Sequence, residues 1–179
     1  MRFSISRLGT LISTMEGKHL QSLLSSFRCS AEPVAENFLK NTAIMHEKNS
    51  ISRTYLFSEV DDSGVRTVKG FFTLAIKCLS VDRPHNIPEE MFELMNINDL
   101  VAQAYLLGQL AKADGVEKGF GKIMIKHALG TFSDGKEMFG CRLVRLDCKD
   151  KMLGYYESCG FTQIGKNKSG NLNQMVAII

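Results

Sequence analysis

The spacing of apolar residues predicts that the chain opens with one strand and two helices. Positions 2–8 alternate weakly between apolar and polar residues, which is typical of an edge strand. Ser13 and Glu16 have the spacing of a helix capping box, and an apolar stripe follows at helical spacing in residues 20–27. Pro33 suits the first turn of a second helix, whose apolar stripe would comprise Val34, Phe38 and Met45.

The next part of the chain has the pattern of a β-hairpin. Residues 51–58 and 65–79 are rich in β-branched and aromatic residues, and the Asp-Asp-Ser-Gly run at 61–64 favours a turn between them. Gly70 lies inside the second strand, where a glycine predicts a bulge. Residues 82–99 lack the pattern of a long core element, apart from a short helix at 88–95, and we interpret them as an insertion or lid.

The remainder of the chain alternates between strands and helices. A long strand ends in a glycine loop that opens a helix, and a second, shorter helix is stopped by Gly160. The predicted elements are a strand at 101–112, a helix at 119–132, a strand at 143–146, a helix at 149–158 and strands at 161–164 and 174–179.

Composition predicts a single globular domain spanning residues 1–179. The 44% apolar and 23% charged residues exclude both a disordered chain and a membrane protein, and no stretch is apolar enough to span a bilayer. The five cysteines form no C-x-x-C pair, so we expect reduced thiols, no metal site and a cytoplasmic location. A net charge of +3 excludes a dedicated duplex-binding domain but allows an anionic ligand or a transient RNA partner.

The glycine loop indicates a site for an anion. With Gly119 and Gly121 at its start, the helix presents unpaired backbone N–H groups at the positive end of its dipole, and these groups suit a phosphate or pyrophosphate. A Walker A motif would need Gly at Val116 and Ser or Thr at Ile123, and a dinucleotide fingerprint would need Gly at Met124. Taken alone, the loop is equally consistent with an ordinary helix start.

Two motifs together resemble the GNAT family of acetyl-CoA-dependent N-acetyltransferases. The loop motif of that family is Gln or Arg, two residues, Gly, one residue, and Gly or Ala; here both glycines match, and Val116 stands where Gln or Arg is usual. A later short helix in the family carries an aromatic residue and a tyrosine and is followed by Gly-Phe. The matching residues here are Tyr155, Tyr156, Gly160 and Phe161.

Over most of its length the chain is similar to the GNAT toxins of bacterial toxin–antitoxin pairs. The matching segments are Ser-Arg-Thr-Tyr at 52–55, Gly-Phe-Phe-Thr-Leu-Ala at 70–75 and Leu-Gly-Gln-Leu-Ala-Lys-Ala-Asp at 107–114. Gln109 stands where that branch has Arg, and the insertion at 82–99 is longer than the branch leads us to expect.

The resemblance implies an α/β fold of the α+β type, with a GNAT-like mixed, mostly antiparallel central sheet flanked by helices. Acetyl-CoA would bind as co-substrate in the splay between the fourth strand and its neighbour, with no metal. The strand end would contact the pantetheine arm, the loop amides would hold the pyrophosphate, and an aromatic ring would lie near the coenzyme. These implied coenzyme residues are Leu110, Ala111, Lys112, Val116, Glu117, Lys118, Gly119, Phe120, Gly121, Lys122 and Tyr155.

By its place in the tyrosine pair, Tyr156 is implied as the general acid. A phenol with a pKa of about 10 can protonate a departing thiolate whose pKa is about 8.5, although a core tyrosine is the alternative. No general base stands out, because the four histidines (His19, His46, His85 and His127) lie in unmatched contexts. An α-amino group has a pKa of only about 8, so the lack of a base favours an α-amine acceptor over a lysine.

The resulting hypothesis is an acetyl-CoA-dependent N-acetyltransferase that acts on a primary amine, such as the α-amine of an aminoacyl-tRNA. An antitoxin protein would be its partner. The oligomeric state stays open between a monomer and a homodimer. Two other hypotheses stay open: a GNAT enzyme that acetylates a small-molecule or protein amine, and an inactive coenzyme-binding module. Lys118, Lys122 and Lys126 recur along one helical face, which either meets the coenzyme 3′-phosphate or an RNA backbone, or is simply solvated.

Overall fold

The computed structural model describes residues 3–81, 87–95, 97–98 and 100–179. The strands of this part are β1 (Ser4–Arg7), β2 (Arg53–Val60), β3 (Arg66–Ile76), β4 (Leu79–Ser80), β5 (Val101–Ala102), β6 (Tyr105–Lys112), β7 (Leu143–Cys148), β8 (Thr162–Lys166) and β9 (Asn173–Ile178). The helices are α1 (Leu8–Thr14), α2 (Gly17–Ser25), α3 (Pro33–Asn41), α4 (Ala43–Lys48), α5 (Glu89–Leu94), α6 (Phe120–Phe139) and α7 (Leu153–Glu157), the last preceded by a 3-10 turn at Asp150–Met152.

Seven strands form one sheet in the order β1-β2-β3-β6-β7-β9-β8, and β4 and β5 form a separate pair. The pairs β1–β2, β2–β3, β7–β9 and β8–β9 are antiparallel, whereas β6 and β7 run parallel. The register of β6 with β7 comprises Tyr105–Val144 and Leu106–Arg145, and β6 continues to Lys112. The expectation of a mixed, mostly antiparallel sheet accompanied by helices is confirmed.

The chain can be described as two compact units. The first comprises the residues up to Ala75 together with Gln109–Met124, and it contains β1 to β3, α1 to α4, the second half of β6 and the start of α6. Its core consists of leucines and phenylalanines from the helices that pack with residues of the strands. The central members are Leu8, Leu11, Leu20, Leu23, Leu24, Phe27, Leu39, Leu56, Val68 and Phe71.

The prediction of two helices before the hairpin was wrong: four helices, α1 to α4, lie in the described stretch between β1 and β2, and their ends differ from the predicted ones. The capping box was wrong: Ser13 lies inside α1, where its hydroxyl donates to the carbonyl of Thr10 at 2.9 Å, and the side chain of Glu16 does not cap α2. The stripe at Val34 and Met45 was also wrong, because both side chains are exposed. The buried face comprises Ala35, Leu39 and Ala43 instead, four residues apart, although the chain breaks between α3 and α4 at Thr42.

The predicted hairpin is confirmed as β2 and β3. One oxygen of the Asp61 carboxylate accepts hydrogen bonds from the backbone N–H groups of Ser63 and Val65, both at 2.9 Å, and so closes the turn. The register passes from Phe57–Gly70 to Ser58–Val68, so Lys69 is the extra residue of a bulge next to Gly70.

Gly70 has a separate reason to be glycine. A Cβ atom at this position would lie 2.6 Å from the sulfur of Met124 and 3.2 Å from the carbonyl oxygen of Ala111. The end of β6 and the first turns of α6 therefore pack directly against the backbone of β3.

The second unit comprises Ile76–Gly108 and Ile125–Ile179. Its apolar core includes Leu79, Val81, Met95, Ala102, Ala104, Leu143, Ile164 and Val176. The predicted strand at 101–112 is two strands, because β5 pairs with β4 outside the main sheet and β6 begins only at Tyr105. The short helix expected at 88–95 is confirmed as α5.

Some expectations fall on residues outside the described ranges. Arg2, at the start of the first predicted strand, and positions 82–86, 96 and 99 of the predicted insertion belong to this group. The lid interpretation therefore stays a prediction. The single domain over residues 1–179 stays a prediction as well. In the part of the chain that the structure describes, no helix is both long and apolar enough to cross a membrane.

Candidate functional site

The strongest candidate site is the loop that joins β6 to α6. The loop turns at Gly115 and Gly119, which have φ angles of +76° and +91°. Residues other than glycine are strained in this left-handed region, so these positions explain why the loop contains glycines. The helix that follows is 20 residues long, and its dipole is directed with the positive end at the loop.

A row of backbone N–H groups lies at the start of this helix. Among the described residues, the N–H groups of residues 117–121 have no hydrogen-bond partner, and the first helical hydrogen bonds run from Lys122 and Ile123 back to the carbonyl of Gly119. Five neighbouring donors without partners at the positive end of a helix are suited to a bound anion such as a pyrophosphate.

Side chains of the loop divide into buried and exposed groups. Ala111, Val116 and Phe120 are buried, and the ring of Phe120 packs edge to face against Phe57 at 5.5 Å. Only the backbone of Phe120 is therefore available to a ligand. The remaining predicted residues of this region are half-buried or exposed: Leu110, Lys112 and Gly121 are half-buried, and Glu117, Lys118, Gly119 and Lys122 are exposed.

Asp114 attaches the loop to the segment after α2. Its backbone N–H donates to the carbonyl of Arg28 at 2.8 Å, and its carboxylate accepts hydrogen bonds from the N–H and the hydroxyl of Ser30. The Ser30 segment is itself tied to α3, because the N–H of Cys29 donates to the Glu36 carboxylate at 2.7 Å. Sequence reasoning missed these anchors, since no local pattern links residues so far apart.

Lys112 contacts the loop from the end of β6. Its ammonium donates to the carbonyl of Val116 and, at 3.2 Å, to the carbonyl of Glu117. The polar side chain that meets the loop is therefore Lys112, while Val116 supplies an apolar, buried side chain.

The two predicted tyrosines lie in α7, in the second unit. Gly160 has a φ angle of +89°, the N–H of Phe161 donates to the carbonyl of Tyr156 at 3.1 Å, and the N–H of Gly160 donates to the carbonyl of Glu157 at 3.0 Å. These bonds form a Schellman motif, and the ring of Phe161 contacts that of Tyr156 at 5.9 Å. The Gly-Phe pair therefore fixes the end of the helix on which Tyr156 lies.

Tyr155 and Tyr156 contact each other edge to face, with ring centroids 5.2 Å apart, and both are half-buried. Burial, with a smaller contribution from the neighbouring Cys159 thiol, raises the pKa of Tyr155 to about 12. Tyr155 is therefore a neutral phenol throughout the physiological range.

The Ser-Arg-Thr-Tyr segment at 52–55 has a structural role in the first unit. Glu47, which is buried, accepts a hydrogen bond from the N–H of Thr54 at 2.9 Å and pairs with Arg53 at 3.4 Å. Arg53 also donates to the carbonyl of Glu47 at 2.9 Å. These contacts join α4 to β2, and nothing in the sequence marked Glu47 as a buried carboxylate.

Two of the four histidines, His19 and His46, make contacts within the first unit. The ring of His46 packs edge to face against Phe38 at 5.2 Å, and the exposed side chain of His19 lies 3.5 Å from that of Glu16, which is also exposed. His85 lies outside the described residues. In the described ranges no cluster of His, Cys, Asp and Glu could hold a metal ion.

The second unit also has an open cavity of about 380 Å³. Its lining residues are Glu93, Leu94, Met95, Gln103, Cys141, Arg142 and Leu143. None of the predicted site residues is among them.

No protein-family model matches the sequence. No curated protein matches it either. Solved structures do match it. AtaT complexed with acetyl-methionyl-tRNAfMet is 20% identical with a TM-score of 0.73, over 96% of this chain and 94% of that chain.

Two further solved structures show the same likeness. A crystal structure of a bacterial toxin is 15% identical with a TM-score of 0.76, over 99% of this chain and 91% of that one. A tyrosine mutant of AtaT bound to the C-terminus of the antitoxin AtaR and acetyl-CoA is 19% identical with a TM-score of 0.70, over 98% and 92%. At these identities the likeness shows the fold, and the GNAT fold expected from the two motifs is confirmed.

Proposed function

We propose that this chain is an acetyl-CoA-dependent N-acetyltransferase that transfers the acetyl group to a primary amine. The observation that carries the proposal is the row of five N–H groups without partners at residues 117–121, at the start of a 20-residue helix. The chain has the same fold as AtaT, which has been solved with acetyl-CoA.

The residues of the first unit fit the coenzyme. The N–H groups of 117–121 would donate hydrogen bonds to its pyrophosphate, and the exposed ammonium groups of Lys118 and Lys122 would lie within reach of its phosphates. The backbone from Leu110 to Lys112 would hold the pantetheine arm. Acetyl-CoA supplies the thioester whose carbonyl carbon the amine attacks.

Tyr156 is the residue that we propose as general acid. Its hydroxyl would protonate the sulfur as the thiolate leaves, and the Schellman motif at Gly160 and Phe161 would keep the ring in place. Tyr155 would contact the coenzyme as a neutral ring, in agreement with its raised pKa.

As acceptor we propose the α-amine of an aminoacyl-tRNA, with an antitoxin protein as the controlling partner, in the cytoplasm where charged tRNA is found. This finer proposal is supported by the fold shared with AtaT, which has been solved with acetyl-methionyl-tRNAfMet and with an antitoxin segment. An α-amine with a pKa of about 8 provides a useful neutral fraction without a strong base. Lys122 and Lys126 are exposed on α6, and Lys118 is exposed in the loop before it rather than on the predicted helical face; all three suit an RNA backbone.

The proposal is tested first by calorimetric titration of the protein with acetyl-CoA. We expect saturable binding, and absence of binding at millimolar coenzyme would overturn the acetyltransferase proposal. Radiolabelled acetyl transfer is then measured on a panel of charged tRNAs, with uncharged tRNA as the control. Transfer to polyamines, amino acids or protein lysines alone would favour the small-molecule or protein alternative, and binding without any transfer would favour an inactive coenzyme-binding module.

A further inference from the structure

The contact between Lys112 and the loop has a consequence for the direction of the loop amides. In a trans peptide the carbonyl of one residue and the N–H of the next point in opposite directions. The Lys112 ammonium binds the carbonyls of Val116 and Glu117. The N–H groups of Glu117 and Lys118 must therefore point away from the ammonium.

These two N–H groups belong to the row that lacks partners among the described residues. Without Lys112, both carbonyls would lose the donor that holds their peptide planes. The planes could then rotate about the backbone bonds of Val116, Glu117 and Lys118, because these residues lie in a loop outside helices and strands, between the left-handed turns at Gly115 and Gly119.

The other side chain that could order the loop from within is apolar. Val116 is buried with 8% of its surface exposed, and its aliphatic side chain has no group that can hydrogen-bond to the loop. Asp114 fixes the beginning of the loop through Arg28 and Ser30, but it does not reach the carbonyls of 116 and 117. Lys112 is thus the described side chain whose hydrogen bonds set these two peptides.

We infer that Lys112 is a positioning residue of the anion site: its ammonium turns the peptides of Val116 and Glu117 so that the N–H groups of Glu117 and Lys118 face the coenzyme pyrophosphate. The inference rests on the proposed coenzyme site. Lys112 acts through the loop backbone, and its charge also adds a fixed positive potential beside the phosphates.

The test compares Lys112→Met with Lys112→Arg, which keeps the charge and the donors, and with Lys18→Met, which removes an exposed lysine of α2. Binding is measured for acetyl-CoA and for S-acetyl-pantetheine, which lacks the pyrophosphate. For Lys112→Met we expect the dissociation constant of acetyl-CoA to rise about tenfold or more, while that of S-acetyl-pantetheine stays within twofold. Lys112→Arg should recover most of the loss, and Lys18→Met should bind like the wild type.

In steady-state kinetics the same variant should raise KM for acetyl-CoA with little change in kcat. Equal weakening of both ligands, or a Lys112→Met variant that binds acetyl-CoA like the wild type, overturns the inference. If the wild type itself binds no acetyl-CoA, the proposed function fails instead, and the role of Lys112 is then read from the backbone amide NMR signals of residues 117–121. These signals should shift in Lys112→Met and not in Lys18→Met; unchanged signals overturn the inference independently of the coenzyme.

Discussion

The carboxylate of Asp114 accepts hydrogen bonds from both the backbone N–H and the hydroxyl of Ser30, at 3.1 and 3.0 Å, although 84 residues separate the two in sequence. Because the Asp114 N–H is also bound to the Arg28 carbonyl, the residue that begins the glycine loop is held through its backbone and its side chain. The loop is therefore anchored to the segment between α2 and α3.

Loss of this anchor should destabilise the protein and weaken coenzyme binding together. We expect Asp114→Ala to lower the free energy of unfolding by about 1 kcal/mol, because the N–H and the hydroxyl of Ser30 would then hydrogen-bond to water instead of to the carboxylate. Chemical denaturation of Asp114→Ala, Ser30→Ala and the double variant measures the coupling between the two residues. Strictly additive single effects would contradict the anchor, and Asp62→Ala, in the exposed hairpin turn, is the control for loss of a surface carboxylate.

Removal of one hydroxyl tests the proposed acid. Tyr156→Phe should lower kcat by about 10²-fold to 10⁴-fold, the usual contribution of general acid catalysis, and should leave the dissociation constant of acetyl-CoA nearly unchanged. Single-turnover transfer and calorimetry separate these two quantities. Tyr155→Phe is the matched control and should retain kcat, because it keeps the ring that is proposed to contact the coenzyme. Equal turnover in Tyr156→Phe and the wild type would show that another group is the general acid.

A side chain at Gly160 should disturb the helix end that carries Tyr156. Because its φ angle is +89°, we expect Gly160→Ala to lower the free energy of unfolding by about 1 to 2 kcal/mol and to reduce kcat. Gly64 in the hairpin has a φ angle of +83° and open space around it, so Gly64→Ala should cost similar stability without loss of kcat. Thermal unfolding and initial rates of the two variants decide the point, and an equal loss of kcat in both would show that Gly160 has no special link to catalysis.

Stability in acid should depend on Glu36. The hydrogen bond from the Cys29 N–H, followed by the contact with Lys40, lowers the pKa of this carboxyl below its ordinary value of 4.5. A lowered pKa in the folded state adds stability above pH 4.5, and this stability is lost as the pH falls through the folded-state value. Urea unfolding between about pH 3 and 7 should therefore show a shallower acid slope for Glu36→Gln than for the wild type, whereas the exposed Glu90→Gln should follow the wild-type curve.

The sequence predicted those features that depend on neighbouring residues. The hairpin turn at Asp61, the helix after Gly119 and the helix end at Gly160 each have a local chemical signal, and all three are present. The likeness to the GNAT fold rested on such local motifs as well. The proposed roles of Tyr156 and the loop residues stay predictions.

Features that depend on distant contacts were missed or misplaced. The start of α1 at Leu8 follows a strand directly, without a capping side chain to mark it. The burial of Glu47 depends on hydrogen bonds to its carboxylate from the N–H of Thr54 and from Arg53. These residues lie seven and six positions later, in β2. No periodic pattern in the sequence predicts the Asp114–Ser30 contact or the contact of Lys112 with the loop carbonyls.

The extra residue at Lys69 determines which face of β3 the side chains before it occupy. Side chains of a regular strand alternate between two faces, so residues three apart would face opposite ways. Val68 and Phe71 are three apart, yet both belong to the same apolar cluster, because the bulge lies between them. Removal of one residue at this point would move each side chain of β3 between the turn and the bulge to the opposite face of the strand. Homologous chains with this core should therefore tolerate insertions in the turn at 61–64 but not deletions at 69.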